Sequence, residues 1–499
     1  MVYPQYPGTY WSFKHALKFI SKKAAVPPLG LITVSAMLPA EWKKKLVDLN
    51  IEPLNNQDLG WADYIFLSGM YVQKDSVTDI LNRCKNYSAK IIAGGPLFTQ
   101  DYENYTQIDH FVLNEAEITL PLFLDDLNKG QARRIYKTDE YADLSITPTP
   151  DFHLLKFKDY AFMNIQVSRG CPYNCDFCEI TALLGHKVRM KSSKQVLNEM
   201  ETLYKLNWRG PVAVVDDNFI GNKKIIKKSI LPAMIEWMNT HKHPFKFNAQ
   251  TSINLADDPE VLEQMCNAGF NSTFIGIETP VEESLKSCHK VQNENRDLLA
   301  NIKQIQKAGL QVSGGFIVGF DSDSATVFQR QIDFIQKSGI VSAMVGLLNA
   351  PKNTRLYKQM EEESRLTVEA TGSNTDFTMN FMPKMDKQVL LEGYKHIIDS
   401  IYKEKPYYQR IRRLLMNYVP VKKGKSEFDL IRVKAFFKSL FILGIYKKGR
   451  FEYWKFLIWT ICKKPQLFID AITLAVYGYH FRLVYDIDNI NTNTSAKLK

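Results

Sequence analysis

Short apolar runs alternate with helical periods along the first 128 residues. The runs KLVDL (45–49), YIFLSGM (64–70), KIIAGGP (90–96) and HFVLNE (110–115) are nearly continuous in apolar residues, the pattern of parallel strands buried on both faces. LGLITVSAML (29–38) and SVTDILNRCKN (76–86) fall between them and read as helices. This βα alternation predicts a doubly wound α/β sheet, which takes ligands at the carboxyl ends of its strands. A first strand should precede YPQYPGTYW, yet only Met1 and Val2 are left to form it. Either that strand is very short or the chain starts further upstream.

A polar and then proline-punctuated stretch, GQARRIYKTDEYADLSITPTPDF (130–152), reads as a connection, which sets a first domain at 1–128 and a linker at 129–160. From Ala161 the alternation resumes with longer periods. The predicted strands are FMNIQV (162–167), VAVV (212–215), FKFNAQ (245–250), TFIGIE (273–278), VSGGFIVG (312–319) and AMVGLL (343–348). Helical patterns such as SSKQVLNEMETLYKL (192–206) and ENRDLLANIKQIQKAG (294–309) separate them. Six βα units predict a partial (β/α)6 barrel over 161–384, with its chemistry on the loops that follow the strands. Residues 385–499 change character. VLLEGYKHIIDSIY, FDLIRVKAFFKSLFILGIYKK and YWKFLIWTICKKPQLFIDAITLAVYGYHF are helical in period, aromatic and laced with Lys and Arg, and predict a helical C-terminal domain. The tail NINTNTSAKLK reads as frayed.

Length and composition fit this division: 499 residues suit about three domains, and 45% hydrophobic with 23% charged residues is a folded, globular mixture. The N-terminal stretch carries no basic and then apolar leader, and no uninterrupted apolar run approaches the ~18 residues of a membrane span. A cytoplasmic protein is expected. The net charge of +11 is concentrated: between Ile401 and Lys464, 17 Lys and Arg stand against 4 acidic residues, which leaves the remainder near neutral. Of seven cysteines, Cys84, Cys266, Cys288 and Cys462 stand alone and read as small buried hydrophobes. Cys171, Cys175 and Cys178 are clustered in SRGCPYNCDFCEI (168–180), just after the first strand of the predicted barrel.

Structural zinc wants four closed ligands, and no second cysteine pair exists to supply them. A dithiol redox pair needs only Cys175 and Cys178 and leaves Cys171 without a role. A four-iron cluster is held by thiolates, and three of them leave one iron with an open coordination position, which a reactive centre requires.

CPYNCDFC, with aromatic Phe177 before the last cysteine, resembles the Cys-x-x-x-Cys-x-x-Cys signature of the radical SAM superfamily. The resemblance implies a [4Fe-4S] cluster on Cys171, Cys175 and Cys178 and a bound S-adenosylmethionine (SAM). It also implies a pocket for SAM: Asp216, Asp217 and Asn218 for the methionine moiety, Glu278 at the end of the fourth strand, and Gly315, Ile317 and Gly319 beside the adenine. The superfamily's Glu three residues after the last glycine is Ser322 here. A strand-end turn or cap stays open as the role of each of these residues taken singly.

VPPLGLITVSAMLP, VDLN, GGP and NEAE resemble, in order and spacing, the cobalamin-binding domain that precedes the barrel in many radical SAM proteins. Gly94 and Gly95 there imply close backbone approach to the corrin or its nucleotide tail, with Ser68 at the neighbouring strand end. The Asp-x-His-x-x-Gly motif that supplies a lower axial histidine is replaced by Asp48-Leu49-Asn50-Ile51-Glu52-Pro53, so cobalamin is expected without that ligand. YPGTYWSFKHALKF, PPLGL, DDNFIGN, GIETP, GGFIVGFD and NTRLY together resemble the cobalamin-dependent radical SAM methyltransferases, most nearly the hopanoid methylases.

That family implies methylation of an unactivated carbon of a lipid-like or secondary-metabolite substrate, with electrons from an external donor such as flavodoxin or ferredoxin. A cobalamin-dependent radical cyclase or rearranging enzyme shares every motif quoted. A cobalamin or iron–sulfur sensor is the non-enzyme alternative, against which the intact cysteines and the absence of a signalling module argue. An RNA-modifying methylthiotransferase carries three further cysteines in its N-terminal domain, where this chain has only Cys84. The basic aromatic C-terminal helices suit peripheral contact with an anionic inner-membrane surface. Nucleic acid is the rival partner and is not expected; helices that merely cover the barrel with solvated charges remain the bland reading.

Overall fold

The first strand is two residues long. In the computed structural model, which describes residues 1–368, 371–373, 375–421, 430–485 and 487, Val2–Tyr3 (β1) sits inside a six-stranded parallel sheet. The described chain divides into two compact units.

The first unit contains Met1–Pro7, Lys23–Pro172 and Glu179–Asp217. Its sheet has the order β2-β1-β3-β4-β5-β6, where β2 is Val47–Asp48, β3 Tyr64–Ser68, β4 Lys90–Gly94, β5 His110–Val112 and β6 Ile135–Tyr136. The last of these lies within the stretch read as linker; two residues carry no period from which to predict a strand. Alternate residues of one strand feed separate cores. Ile65 and Leu67 pack with Val77, Ile80 and Leu81 of the helix Lys74–Cys84, whereas Phe66 packs with Leu120 and Phe123 of the helix Ala116–Asn128. This is why the strands read as continuously apolar. From β1 the chain moves to β2 on one side and then crosses to β3 on the other, so the strand order reverses at β1, where sheets of this kind bind ligands. The unit also holds Met163–Ile165 (β7) paired in parallel with Pro211–Val214 (β10), and a short antiparallel pair, Ser168–Arg169 (β8) with Arg189–Met190 (β9). Ser193–Lys205, the helix between β9 and β10, starts at a capping box in which Ser192 and Gln195 exchange hydrogen bonds.

The second unit contains Gly8–Lys22, Tyr173–Cys178 and Asn218 onward. Lys246–Thr251 (β11), Phe270–Glu278 (β12), Gln311–Val318 (β13) and Ala343–Leu347 (β14) pair in parallel in chain order. Helices intervene at Pro259–Ala268, Leu298–Ala308 and Thr326–Ser338; the first two are N-capped by Asp258 and Asp297. All six strands predicted beyond Ala161 are therefore present.

The C-terminal region is helical: α1 (Lys387–Tyr402), α2 (Glu404–Asn417), α3 (Leu430–Phe441), α4 (Arg450–Lys463) and α5 (Phe468–Val484). One segment, Pro465–Val484, is long and apolar enough to cross a membrane by length and composition, yet 56% of its apolar window is buried within the protein. It reads as a core helix. Residues 422–429, part of the basic region, and the tail 489–499 lie outside the described residues.

Candidate active site

In the first unit, Ser68 ends β3, and its register partner Gly94 ends β4. A Cβ on Gly94 would lie 2.5 Å from the Val112 carbonyl oxygen, and one on Gly95, whose φ is +90°, would lie 2.4 Å from Ser68 Oγ. The three residues thus come together at the carboxyl ends of the strands, and bare backbone is required there. Asn50, in the place of the missing histidine, is fully engaged: its amide nitrogen donates to Asp48 Oδ1 (2.7 Å) and the Pro4 carbonyl (3.2 Å), and its oxygen accepts from the Tyr6 N–H (2.9 Å). It fixes the turn after β1. Small residues and bare backbone at these strand ends fit a cobalamin that would be held through its ring and tail.

The turn before the first cysteine is equally constrained. Gly170 has φ +90°, and a Cβ there would lie within 2.9 Å of the Gly185 and Lys187 carbonyl oxygens. The Cys171 N–H donates to the Gly185 carbonyl at 3.3 Å. Beside it, Arg169 donates to Glu115 and to both oxygens of Glu117, while Arg189 donates to Glu115 at 2.6 Å. The acidic residues of NEAE therefore anchor the start of the cysteine loop. Asp216 accepts from the Val167 N–H (2.7 Å) and the Ser168 hydroxyl (2.6 Å), and burial pushes its carboxyl up to about 7 against these bonds. Burial pushes Asp217 up to about 6, and its Oδ2 is buried without a hydrogen-bond partner among the described residues. That orphaned oxygen, unlike the Asp216 carboxylate, is an unsatisfied acceptor.

In the second unit, Cys175 is buried and Cys178 half-buried, in a turn closed by the Cys178 N–H donating to the Cys175 carbonyl at 3.1 Å. Tyr173 in the same loop accepts from Asn254 Nδ2 (2.6 Å); the Ser252 hydroxyl donates to Asn254 Oδ1 (2.6 Å), and Asn218 bonds Ser252 in turn. Asn218 is thus a loop-positioning residue. Gln292 Nε2 donates to Cys175 Sγ at 3.7 Å.

Lys290 Nζ donates to Glu278 Oε1 at 2.6 Å, and the ammonium lies 5.9 Å from the centre of the Phe177 ring. Burial opposes its charge, but the Glu278 carboxylate and the sulfurs of Cys175 and Cys178 outweigh burial and hold the ammonium above the usual lysine range. Glu278 stands at φ +61° and presents its carboxylate to this lysine. A Cβ on Gly276 would sit 2.3 Å from that carboxylate and 2.9 Å from Lys290 Nζ, so the glycine makes room for the pair.

Phe177, Phe320, Phe381, Leu348, Cys288 and Ser322 line part of a cavity of about 340 Å³. Phe177 and Phe320 meet edge to face at 6.2 Å. Gly319 (φ +105°) follows β13, and the amides of Gly319 and Phe320 both donate to Asp323 Oδ2, at 2.9 and 3.1 Å. A carboxylate thus stands one position beyond Ser322 but clamps the turn, while Ser322 bonds Ser284 and Ser287. Gly315 packs against the Phe274 ring, and the Ile317 carbonyl accepts from Gln331. Lys290, Gln292 and Asp323 lie in aperiodic loops and have no signature in the sequence; neither do the contacts of Asp176 with His289 (2.8 Å) and with Arg355 (3.3 Å), the first residue of the helix Arg355–Glu362.

Among the described residues no three His, Cys, Asp or Glu side chains converge at metal-ligand distance. The donor set nonetheless fits a cluster, because three thiols at this spacing are soft ligands and none forms a disulfide.

Three thiols on the loop of a parallel α/β scaffold define a radical SAM protein. The Radical SAM superfamily model matches residues 165–335, and that of a domain of unknown function, DUF4070, matches 354–490. The chain is 36% identical over 487 residues to an uncharacterized methyltransferase of Synechocystis sp., covering 96% of this chain and 90% of that protein. It is 29% identical to the hopanoid C-2 methylase of Rhodopseudomonas palustris, covering 97% and 92%. The cobalamin-dependent SAM radical enzyme OxsB, solved with aqua-cobalamin and SAM, shares the fold at TM-score 0.62 and 16% identity over 95% of this chain and 79% of that one. The radical SAM methyltransferase TsrM of Kitasatospora setae does so at 0.59 and 12%, over 72% and 77%. The chain belongs to the radical SAM superfamily and, within it, to the methyltransferases that the Synechocystis relative represents. Membership implies a [4Fe-4S] cluster and SAM.

Proposed function

We propose that this methyltransferase holds its cluster on Cys171, Cys175 and Cys178, binds SAM in the Phe177 cavity and cobalamin at the strand ends around Ser68, Gly94 and Gly95, and methylates an unactivated carbon of a lipid-like substrate. The observation that carries this reading is the Lys290–Glu278 pair beside Cys175, Cys178 and the ring of Phe177, which itself lines an aromatic-walled cavity. When bound, the cluster and SAM supply a hydrogen-abstracting radical, and cobalamin supplies the methyl group. Phe177 and Phe320 offer apolar walls to a purine, and Ser322 offers a hydroxyl to its ribose. Asp323 holds the Gly319–Phe320 turn against them. Lys290 places a positive charge where thiolates and a SAM carboxylate bring negative charge. The R. palustris relative is named for a hopanoid, which supports a lipid-like substrate. The reading includes an external electron donor of the flavodoxin or ferredoxin kind, a cytoplasmic location and peripheral contact with an anionic membrane.

The test is anaerobic turnover of the protein reconstituted with iron, sulfide and cobalamin, given reductant, methyl-deuterated SAM and a host lipid extract. Label in a lipid, with 5′-deoxyadenosine and S-adenosylhomocysteine both formed, is expected. 5′-Deoxyadenosine without label or S-adenosylhomocysteine would refute methyl transfer in favour of a rearrangement. Cys171→Ala, Cys175→Ala and Cys178→Ala should each abolish iron retention, read by colorimetric iron content.

A further inference from the structure

We propose that α3 and α4 form a docking surface for an anionic lipid bilayer, lying on the membrane without crossing it. The inference rests on the lipid reading above and names the residues that make the contact.

On α3 and the turn after it, Leu430, Lys434, Phe437, Phe441 and Ile445 are all exposed at steps of four, three, four and four residues, one face of a helix. On α4, Phe451, Trp454, Ile458 and Ile461 repeat this at steps of three, four and three. Phe437, Phe441 and Phe451 are each more than 60% exposed. Isolated exposed apolar residues are ordinary on a protein surface, but two helical stripes of them are not.

The opposite faces are occupied. Ser439 Oγ lies 2.9 Å from Tyr453 Oη, and Phe456 stacks on Tyr408; at the stripe's edge, Trp454 Nε1 donates to the Gly444 carbonyl at 2.8 Å and ties the two segments together. The two helices are therefore fixed to each other and to the body of their unit, with the apolar stripes left outside.

Charge selects the partner. From Leu430 to Lys464 nine Lys and Arg accompany a single acid, Glu452, which is itself paired with Lys455 at 2.9 Å. A basic rim around an apolar face matches an anionic headgroup layer over acyl chains. A second copy of the chain would bring two such cationic faces together. RNA would use flat rings for stacking, whereas Leu430, Ile445, Ile458 and Ile461 are aliphatic. α3 has 12 residues and α4 has 14, short of the ~20 a span needs.

The test is co-sedimentation of the purified full chain with vesicles, which needs no turnover and so fails or succeeds apart from the methyltransferase reading. Binding to phosphatidylcholine vesicles containing about a third phosphatidylglycerol, little binding to pure phosphatidylcholine, and release by high salt are expected. Lys434→Glu, and Lys448→Glu at an exposed position in the turn that leads into α4, should each weaken binding about fivefold or more. Phe441→Ser with Phe451→Ser should weaken it about tenfold or more, with an unchanged circular dichroism spectrum. No binding to the anionic vesicles overturns the proposal, as does parental binding by all of these variants. So does a dimer broken by the same substitutions, or capture of RNA, without vesicle binding.

Discussion

Removing the lysine of the Lys290–Glu278 pair tests how the site is held together. The pair is 2.6 Å long, with side chains 12% and 8% exposed, so water screens it little. Lys290→Met keeps most of the side-chain volume but leaves the Glu278 carboxylate buried beside nothing positive. Breaking a buried pair costs roughly 3–5 kcal/mol, and the small residual exposure favours the lower end, about 3 kcal/mol. Adding Glu278→Gln removes the stranded charge, so the double variant should recover about 2 kcal/mol of that loss. The assay is urea unfolding of the cluster-free chain for the parent, both single variants and the double variant, compared on one transition. A coupling below about 0.5 kcal/mol would mean the two charges do not support each other, and the account of Gly276 as the residue that makes room for them would fall with it.

Gly276→Ala should destabilise the chain by about 1–3 kcal/mol, because the new methyl group lands on both partners of that pair; the same urea series reads it. Asp216 gives a pH signature. Its carboxyl is raised from 3.8 to about 7, so the native state binds the proton more tightly and this group's contribution to stability falls as pH rises from about 4 to about 7, by about 4 kcal/mol. The stability difference between parent and Asp216→Asn should follow that slope in unfolding at pH 5, 6, 7 and 8, and a pH-independent difference would refute it. In the cluster-free chain at pH 8, alkylation followed by peptide mass mapping should modify exposed Cys462 well before buried Cys288, whose thiol burial pushes up to about 12. Gly170→Ala should lower the iron retained after reconstitution, since the loop cannot keep its φ of +90°.

β3 was legible because Ile65, Phe66 and Leu67 form a run of large apolar residues buried on both faces, whereas β11, KFNAQT, shows itself by alternation of buried and more exposed positions. β8 and β9 were not, because Ser-Arg and Arg-Met are short and mostly polar, and α2 fell within the predicted helical domain without being singled out, although Tyr407, Tyr408, Ile411, Leu414 and Leu415 recur at helical steps. The three cysteines were legible as chemistry, since spacing is a property of the chain. What surrounds them was not. Lys290 reaches Glu278 from a separate loop, and Asp323 takes its role from two backbone amides that only the folded turn presents to it. Asn218, read as a SAM contact, is used in the loop network, and only the fold decides between such roles.

That network, from Tyr173 through Asn254 and Ser252 to Asn218, bears on how the centre is assembled. In small zinc domains metal affinity is also folding free energy, because ligands and metal become ordered together. Here the Tyr173–Cys178 segment is tied down by side chains that take no part in ligation. On the ligation proposed above, iron and sulfide would meet Cys175 and Cys178 in a segment whose backbone entropy has already been lost to the fold, and maturation would follow folding instead of driving it.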